Sequence, residues 1–273
     1  MLPLPGFVNN APMRHFPLLL AHELRMLAVS AATYSAAVLF LLMMGLMYFL
    51  VIYQYDLVSQ SDIFQNNPPS AQYFQVFWIP VVFVVPLLTM KSLAEERRHG
   101  TLEAMLTTPA STLEIVLAKY FAAYFFYIGL WALTLLFPWI AVLFLKPGSP
   151  DSPLYDTASL SGGFTFVCIS GLLYVALGVL ASSLTRNTLV AGMLSFSMLF
   201  VLIIGGNVLL HLPWQDVPFL ASFHPVVEYL QPFQHLQDFS RGVMDTRPFF
   251  LYASNAILVL GMTTMAVESR ATS

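Results

Sequence analysis

Charged side chains are scarce in this sequence. Asp, Glu, Lys and Arg together make up 9% of its 273 residues, whereas hydrophobic residues make up 58%. Soluble domains carry about 25% charged residues. The chain has too few charges to cover the surface of a soluble protein of its length, so the composition predicts an integral membrane protein with several spans. This composition excludes a cytosolic enzyme, a nucleic-acid-binding protein and a secreted disulfide scaffold.

Several sequence signals of other protein classes are also missing. A single cysteine, Cys168, excludes an intrachain disulfide. Residues 1–15 lack a basic stretch followed by an apolar core, so we expect no cleaved signal peptide. The sequence has no Gly-x-x-x-x-Gly-Lys-[Ser/Thr] motif, so we expect it to bind no nucleotide itself. The histidines form no facing pairs within apolar runs, so we expect neither haem nor a metal.

Apolar runs long enough to cross a bilayer, about 20 residues each, occur six times. They lie at 29–53, 73–90, 120–145, 164–184, 189–212 and 249–267. None has an ionisable side chain near its middle, which argues against an ion pump or a proton-coupled transporter. Gly171 and Gly178 give the fourth run a small-residue face with Ser170 and Ser182. Such a face predicts close helix packing, either within the subunit or at a dimer seam.

The basic residues indicate how the chain is oriented in the membrane. One side of the membrane would carry Arg14, Arg25, Lys91, Arg97, Arg98, Lys119, Arg186 and Arg270, and the other would carry Lys146, Arg241 and Arg247. Because basic residues accumulate on the cytoplasmic side, both termini are predicted to be cytoplasmic.

Two segments outside the runs carry helical signals. Residues 16–27 begin with Phe16-Pro17 and are interrupted by His22, Glu23 and Arg25, which predicts an amphipathic helix in the cytoplasmic interface. The alternative is that this segment simply extends the first span. The outer segment 213–248 is predicted to form short helices at 226–230 and 233–239, where apolar residues recur every three or four positions.

The most charge-dense segment, 95–109, follows the second span. We predict a solvated helical end over 95–98, a stop at Gly100, and a short helix over 101–106 that ends at Pro109. The third span would restart with a capping box formed by Ser111 and Glu114. An ordinary solvated loop is the alternative, but a short helix with Leu102, Met105 and Leu106 on one face would suit a docking partner.

This segment resembles the signature of ABC-2 type transporter permeases. The matching residues are Glu95-Glu96-Arg97-Arg98-x-Gly100-Thr101-Leu102-Glu103-x-x-Leu106-x-x-Pro109, followed by Lys119. His22-Glu23-Leu24, the region from Tyr34 to Gly45, and the stretch from Phe239 to Arg247 resemble the subgroup of gliding-motility and nitrous-oxide-reductase-maturation permeases. The family usually has Lys where His22 stands here.

The resemblance implies a single ABC-2 type transmembrane domain over 1–273, in the inner membrane of a bacterial cell. It is all-α, with six transmembrane helices, the N-terminal interfacial helix, a cytoplasmic coupling helix between the second and third spans, and short extracytoplasmic helices before the last span. Such a subunit pairs with an identical or related permease subunit and docks separate ABC ATPase subunits, which bind ATP and Mg²⁺. The cargo is exported, and an extracytoplasmic partner would fit the outer segment.

The resemblance also implies roles for particular residues. The contacts with the ATPase would be Glu95, Glu96, Arg98, Gly100, Thr101, Leu102, Glu103, Met105 and Leu106, with Glu23 and Arg25 as a second contact. Family precedent places the second and fifth spans along the translocation path, which would bring Phe77, Phe83, Met193, Phe196 and Asn207 near the substrate.

Two other functions were weighed against a permease. A channel or membrane scaffold remains open, since both tolerate spans without charges. An intramembrane protease would need a serine and a histidine within hydrogen-bond reach at membrane depth. His211, His224 and His235 lie at or beyond the outer edge, and His15, His22 and His99 lie inside, so we do not expect a protease.

Overall fold

The computed structural model describes residues 15–58, 69–101, 110–145, 156–210, 229–242 and 245–271. Within these residues the chain is helical and has no strand. Six helical stretches there are long and apolar enough to cross a membrane: Ala31–Gln54, Trp78–His99, Thr112–Phe144, Thr157–Leu184, Thr188–Leu209 and Arg247–Ser269. The prediction of an all-helical chain with six spans is confirmed for this part of the protein.

The helices are numbered in chain order. They are α1 Phe16–Val29, α2 Ala31–Val58, α3 Pro69–Gln75, α4 Trp78–Thr89, α5 Ala94–His99, α6 Thr112–Thr134, α7 Leu136–Leu145, α8 Thr157–Leu184, α9 Thr188–Phe200, α10 Gly206–Leu210, α11 Pro232–Ser240 and α12 Arg247–Ala271. A π-helical stretch, Val201–Gly205, joins α9 to α10 within the fifth span.

Two of the spans begin earlier in the sequence than their apolar runs predict, because each starts at a polar cap. α6 begins at Thr112 rather than at residue 120, because Ser111 and Glu114 form the predicted capping box. α8 begins at Thr157 rather than at residue 164, because the Asp156 carboxylate accepts hydrogen bonds from the first backbone N–H groups of the helix. An apolar run alone does not reveal a first turn that is capped but polar.

α1 is a helix separate from the first span. The chain is extended at Ser30, with ψ of 122°, and there it leaves α1 before entering α2. α1 packs mainly along α6 and touches α2 only slightly. The alternative of one helix extended inward is therefore wrong.

α8 is the helix around which the others are arranged. It packs against α12, α9, α11 and α6. A Cβ atom at Gly171 would overlap the ring of Tyr127, and one at Gly178 would overlap the side chain of Thr89. The small-residue face therefore serves close packing within the subunit, which decides between the two alternatives that the sequence left open.

The short helix α11 covers one end of this bundle. The prediction of a helix at 233–239 is confirmed, and the ring centroids of Phe233 and Phe77 lie 6.2 Å apart. His235 is buried, and its Nδ1 lies 3.3 Å from the Tyr252 hydroxyl of α12. The aromatic side chains of α11 therefore attach it to the bundle core. The other short helix predicted in this segment, at 226–230, lies mostly outside the described residues.

Gly178→Ala is expected to destabilise the protein by about 1–3 kcal/mol, because the added methyl group meets a short, branched side chain that cannot move away. The matched control is Gly261→Ala in α12, where no atom of the part of the chain that the structure describes lies within 4 Å of the new Cβ. It should leave stability unchanged or raise it by up to about 1 kcal/mol through helix propensity. Thermal unfolding in detergent compares the two, and equal effects would contradict the packing described for α8.

Stability should also depend on pH through His235. Burial lowers the pKa of His235 from its ordinary value of 6.5, against the opposing charges of Asp238 and Asp245. The folded state therefore favours the neutral imidazole, and this contribution is complete above pH 6.5 and is lost as the pH falls through the lowered pKa. The unfolding midpoint should drop on acidification below about pH 6.5, and less so in His235→Gln. An identical drop in the variant would remove His235 as the cause.

Candidate functional site

Three helices meet at a buried lysine, at the side of the bundle where the second span ends and the third span begins. Lys119 of α6 is 4% exposed, and its Nζ lies 2.7 Å from Glu23 Oε1 of α1 and 2.6 Å from Glu96 Oε1 of α5. We call these three residues the Lys119 junction. A buried ammonium needs such counter-charges, because moving it out of water without them is costly.

The charges at the junction do not balance. One ammonium is shared by two carboxylates, and Glu96 Oε2 is buried without a hydrogen-bond partner among the described residues. Taking away the lysine would leave two carboxylates facing each other in a largely buried site. The position of α1 and that of α5 therefore both depend on Lys119.

A second attachment holds the start of α5 to α8. Ser182 Oγ is fully buried and accepts hydrogen bonds of 3.0 Å from the backbone N–H groups of Leu93 and Ala94. It also donates to the carbonyl of Met90 at 3.2 Å. The guanidinium of Arg97 donates to the carbonyl of Ser183. The turn after α4 is thereby fastened to the central helix.

α5 ends at Gly100, as the sequence predicted. Gly100 has φ of +72°, in the left-handed region, and its N–H donates to the carbonyl of Glu96. Thr101 Oγ1 donates to the same carbonyl at 3.2 Å. Both bonds close the helix and turn the chain toward residue 102 and beyond.

The structure corrects one part of the predicted segment. We expected 95–98 to continue the second span as a solvated helical end. A turn at 90–93 instead separates α4 from α5, Glu96 joins the Lys119 junction, and Arg97 bonds to α8. Glu95 is half-buried, whereas Arg98 and Thr101 are exposed. Leu102, Glu103, Met105 and Leu106 lie outside the described residues.

The residues suggested for a translocation path fall into separate places. Phe83 of α4 is 46% exposed and its ring centroid lies 5.5 Å from that of Phe196 of α9. Met193 on the same helix is 71% exposed. Phe77 is fully buried against Phe166, with centroids 5.4 Å apart, so it belongs to the subunit interior. Asn207 is half-buried in α10.

Sequence reasoning identified two members of the junction but not their purpose. The sequence predicts Glu23, Arg25 and Glu96 as contacts for a partner and includes Lys119 only as part of the family signature; in the structure Arg25 is exposed. A lone lysine eight positions into a well-capped apolar helix was the available signal, because such a residue is rarely buried without a partner. The sequence indicates Ser182 only as a small residue. Its hydrogen bonds to the backbone of Leu93 and Ala94 join residues far apart in sequence, so no local pattern predicts them.

Replacing Lys119 by methionine is expected to cost about 3–5 kcal/mol of stability, because it leaves two partly buried carboxylates without a cation. Glu23→Gln and Glu96→Gln should each cost less, since the other carboxylate still pairs with Lys119. Their combination should cost more than the sum of the two. Arg241→Met, at an exposed position, is the control, with a change within about 0.5 kcal/mol. Strictly additive effects of the two glutamate substitutions would contradict the shared pairing.

Groups of three or more His, Cys, Asp or Glu able to hold a metal ion do not occur among the described residues. The ion pairs of Lys119 and the hydrogen bonds of Ser182 hold a short charged segment against the ends of the spans. This arrangement lies beside the residues that carry the resemblance noted in the sequence.

Comparison with known proteins bears on the same region. The profile of the family described as "ABC-2 family transporter protein" matches residues 18–267, which include most of α1, the Lys119 junction, the first five spans and most of the sixth. No curated protein matches the chain. Because the profile covers nearly its whole length, the chain belongs to the ABC-2 family of transporter proteins.

Proposed function

We propose that this multi-pass membrane protein is the permease subunit of a bacterial ABC-2 exporter and that its Lys119 junction couples it to a separate ATPase. Membership in the family makes it a membrane component of an ABC transporter. The observation that carries the coupling is that Lys119 holds Glu23 of α1 and Glu96 of α5 at once.

The contacts suggest how force would pass between the two subunits. The segment after Gly100 continues from α5, whose start is bonded to α8 through Ser182 and whose side chain at Glu96 is bonded to α6. A push on residues 100–109 by an ATPase would therefore act on three helices together. The proposed ATPase contacts are Glu95, Glu96, Arg98, Gly100, Thr101, Leu102, Glu103, Met105 and Leu106, with Glu23 and Arg25 on α1 as the second contact.

α1 would lie in the cytoplasmic interface. It is separate from the first span, packs along α6, and has no fully buried residue. With both termini cytoplasmic, the Lys119 junction and α5 would face the ATPase. ATP and Mg²⁺ would be bound by that partner, and the permease itself would carry no catalytic residue.

A second permease subunit, identical or related, would complete the pathway. Phe83 and Met193 are exposed, and together with the half-buried Phe196 they contribute to an apolar face of α4 and α9. If this face meets its counterpart in the second subunit, these three residues would border the path, with Asn207 nearer its outer end. Phe77 does not belong to that face.

The finer assignments rest on resemblance. The likeness to gliding-motility and nitrous-oxide-reductase-maturation permeases supports an inner-membrane exporter with an extracytoplasmic partner near α11. The family match does not favour a channel or scaffold outside the ABC class.

Gly100 provides the test, because its φ is left-handed and none of the described residues lies within 4 Å of an added Cβ. Gly100→Val should therefore act only through the backbone, since β-branched residues avoid this region, whereas Gly100→Asn should be tolerated. In proteoliposomes with the cognate ATPase, we expect Val to reduce permease-dependent ATP hydrolysis about tenfold and Asn to change it less than threefold, as a backbone cost of about 1–2 kcal/mol implies.

Glu103→Arg adds a charge reversal at the proposed contact and should lower ATP hydrolysis without loss of membrane insertion. Co-purification of the wild-type chain with an ATPase is the first requirement, and its failure would contradict the permease function. Equal activity of the Val and Asn variants would leave the function standing but remove the segment after α5 as the point of coupling.

A further inference from the structure

A cavity of about 680 Å³ opens between α1 and the end of the second span. Its volume lies within the range of about 300–1,000 Å³ found for small-molecule sites. It lies beside the Lys119 junction, and its lining changes in character from one end to the other.

One part of the lining is apolar. Met26 and Val29 of α1 contribute there and are 59% and 74% exposed, and Leu87 and Leu88 of α4 lie opposite. Leu87 and Leu88 belong to the second span, whereas Met26 and Val29 lie at the end of α1 that precedes the first span. An apolar chain of a membrane amphiphile would have continuous contact with this part.

The other part of the lining is charged. It carries three carboxylates, from Glu23, Glu95 and Glu96, and two ammonium groups, from Lys91 and Lys119. Lys119 is already shared between two of the carboxylates, and Glu96 Oε2 has no hydrogen-bond partner among the residues that the structure describes. Three carboxylates therefore face two ammonium groups in this wall, which His22, His99 and several hydroxyl groups also line, and Lys91 is the exposed ammonium.

We infer that the cavity binds a membrane lipid whose headgroup combines a phosphate with a primary ammonium group, as in phosphatidylethanolamine. The ammonium would donate to Glu95 and to the carboxylate side of the Lys119 junction, the phosphate would meet Lys91, and an acyl chain would lie along Met26 and Leu87. Such a lipid supplies the missing donors and matches both parts of the lining. This inference does not depend on the coupling to an ATPase proposed above.

Headgroup chemistry separates this occupant from others. Phosphatidylcholine has the same charges, but its methylated nitrogen has no N–H to donate, and phosphatidylglycerol has no cation. Binding of dioleoyl forms of the three lipids to the purified full chain in detergent, measured by native mass spectrometry, should favour phosphatidylethanolamine by about tenfold, the effect of one charged hydrogen bond.

Variants test each part of the lining. Glu95→Gln should remove most of the preference for phosphatidylethanolamine. Lys91→Gln should weaken the binding of all three lipids, and Leu87→Trp should also weaken their binding, because the larger side chain fills the apolar end of the cavity. Glu268→Gln, an exposed carboxylate in α12 away from the cavity, is the matched control and should change nothing. Thermal unfolding checks that each variant is folded.

Three results would overturn the inference. Equal binding of the three lipids would indicate only general contact with the bilayer. An unchanged preference in Glu95→Gln would remove the carboxylate from recognition. Loss of the bound lipid when the chain assembles with its ATPase would assign the cavity to the ATPase contact, whereas retention of the lipid in the assembled complex supports a lipid site.

Discussion

The placement of a single ammonium group determines how the charged end of this protein is assembled. Lys119 is 4% exposed and satisfies a carboxylate from α1 and one from α5. Burial secures neither helix strongly, because α1 has no fully buried residue and α5 spans only Ala94–His99. Two helices that lie outside the apolar core are thereby attached to the start of the third span.

The hydrogen bonds of Ser182 extend this arrangement to the middle of the bundle. α8 approaches α4 closely at Gly178, and four residues further on Ser182 binds the turn that leads to α5. The close packing and the polar attachment lie on the same helix, α8, so a displacement of α5 would act directly on that helix. In the proposed transporter, this rigidity is what would let a contact outside the membrane move the spans.

Much of this could be predicted from the sequence, for physical reasons that differ between regions. The six spans follow from runs of apolar residues, and the starts and stops at Ser111 and Gly100 follow from local capping chemistry. The separate helix α1 was predicted from the polar residues that interrupt 16–27, whereas the turn at 90–93 was not, because it contains no proline or glycine. In sequence, Lys119 lies 23 positions from Glu96 and 96 positions from Glu23. Contacts between residues so far apart are determined only by how the helices pack.

A charge swap across the junction tests the central claim most directly. In the complex with its ATPase, Lys119→Glu alone should abolish permease-dependent ATP hydrolysis, because it brings three carboxylates together. The double variant Lys119→Glu with Glu96→Lys restores a cation between two carboxylates and should recover a substantial part of the wild-type rate. Recovery no better than that of the single variant would show that the pairing of these residues is not what couples the two subunits.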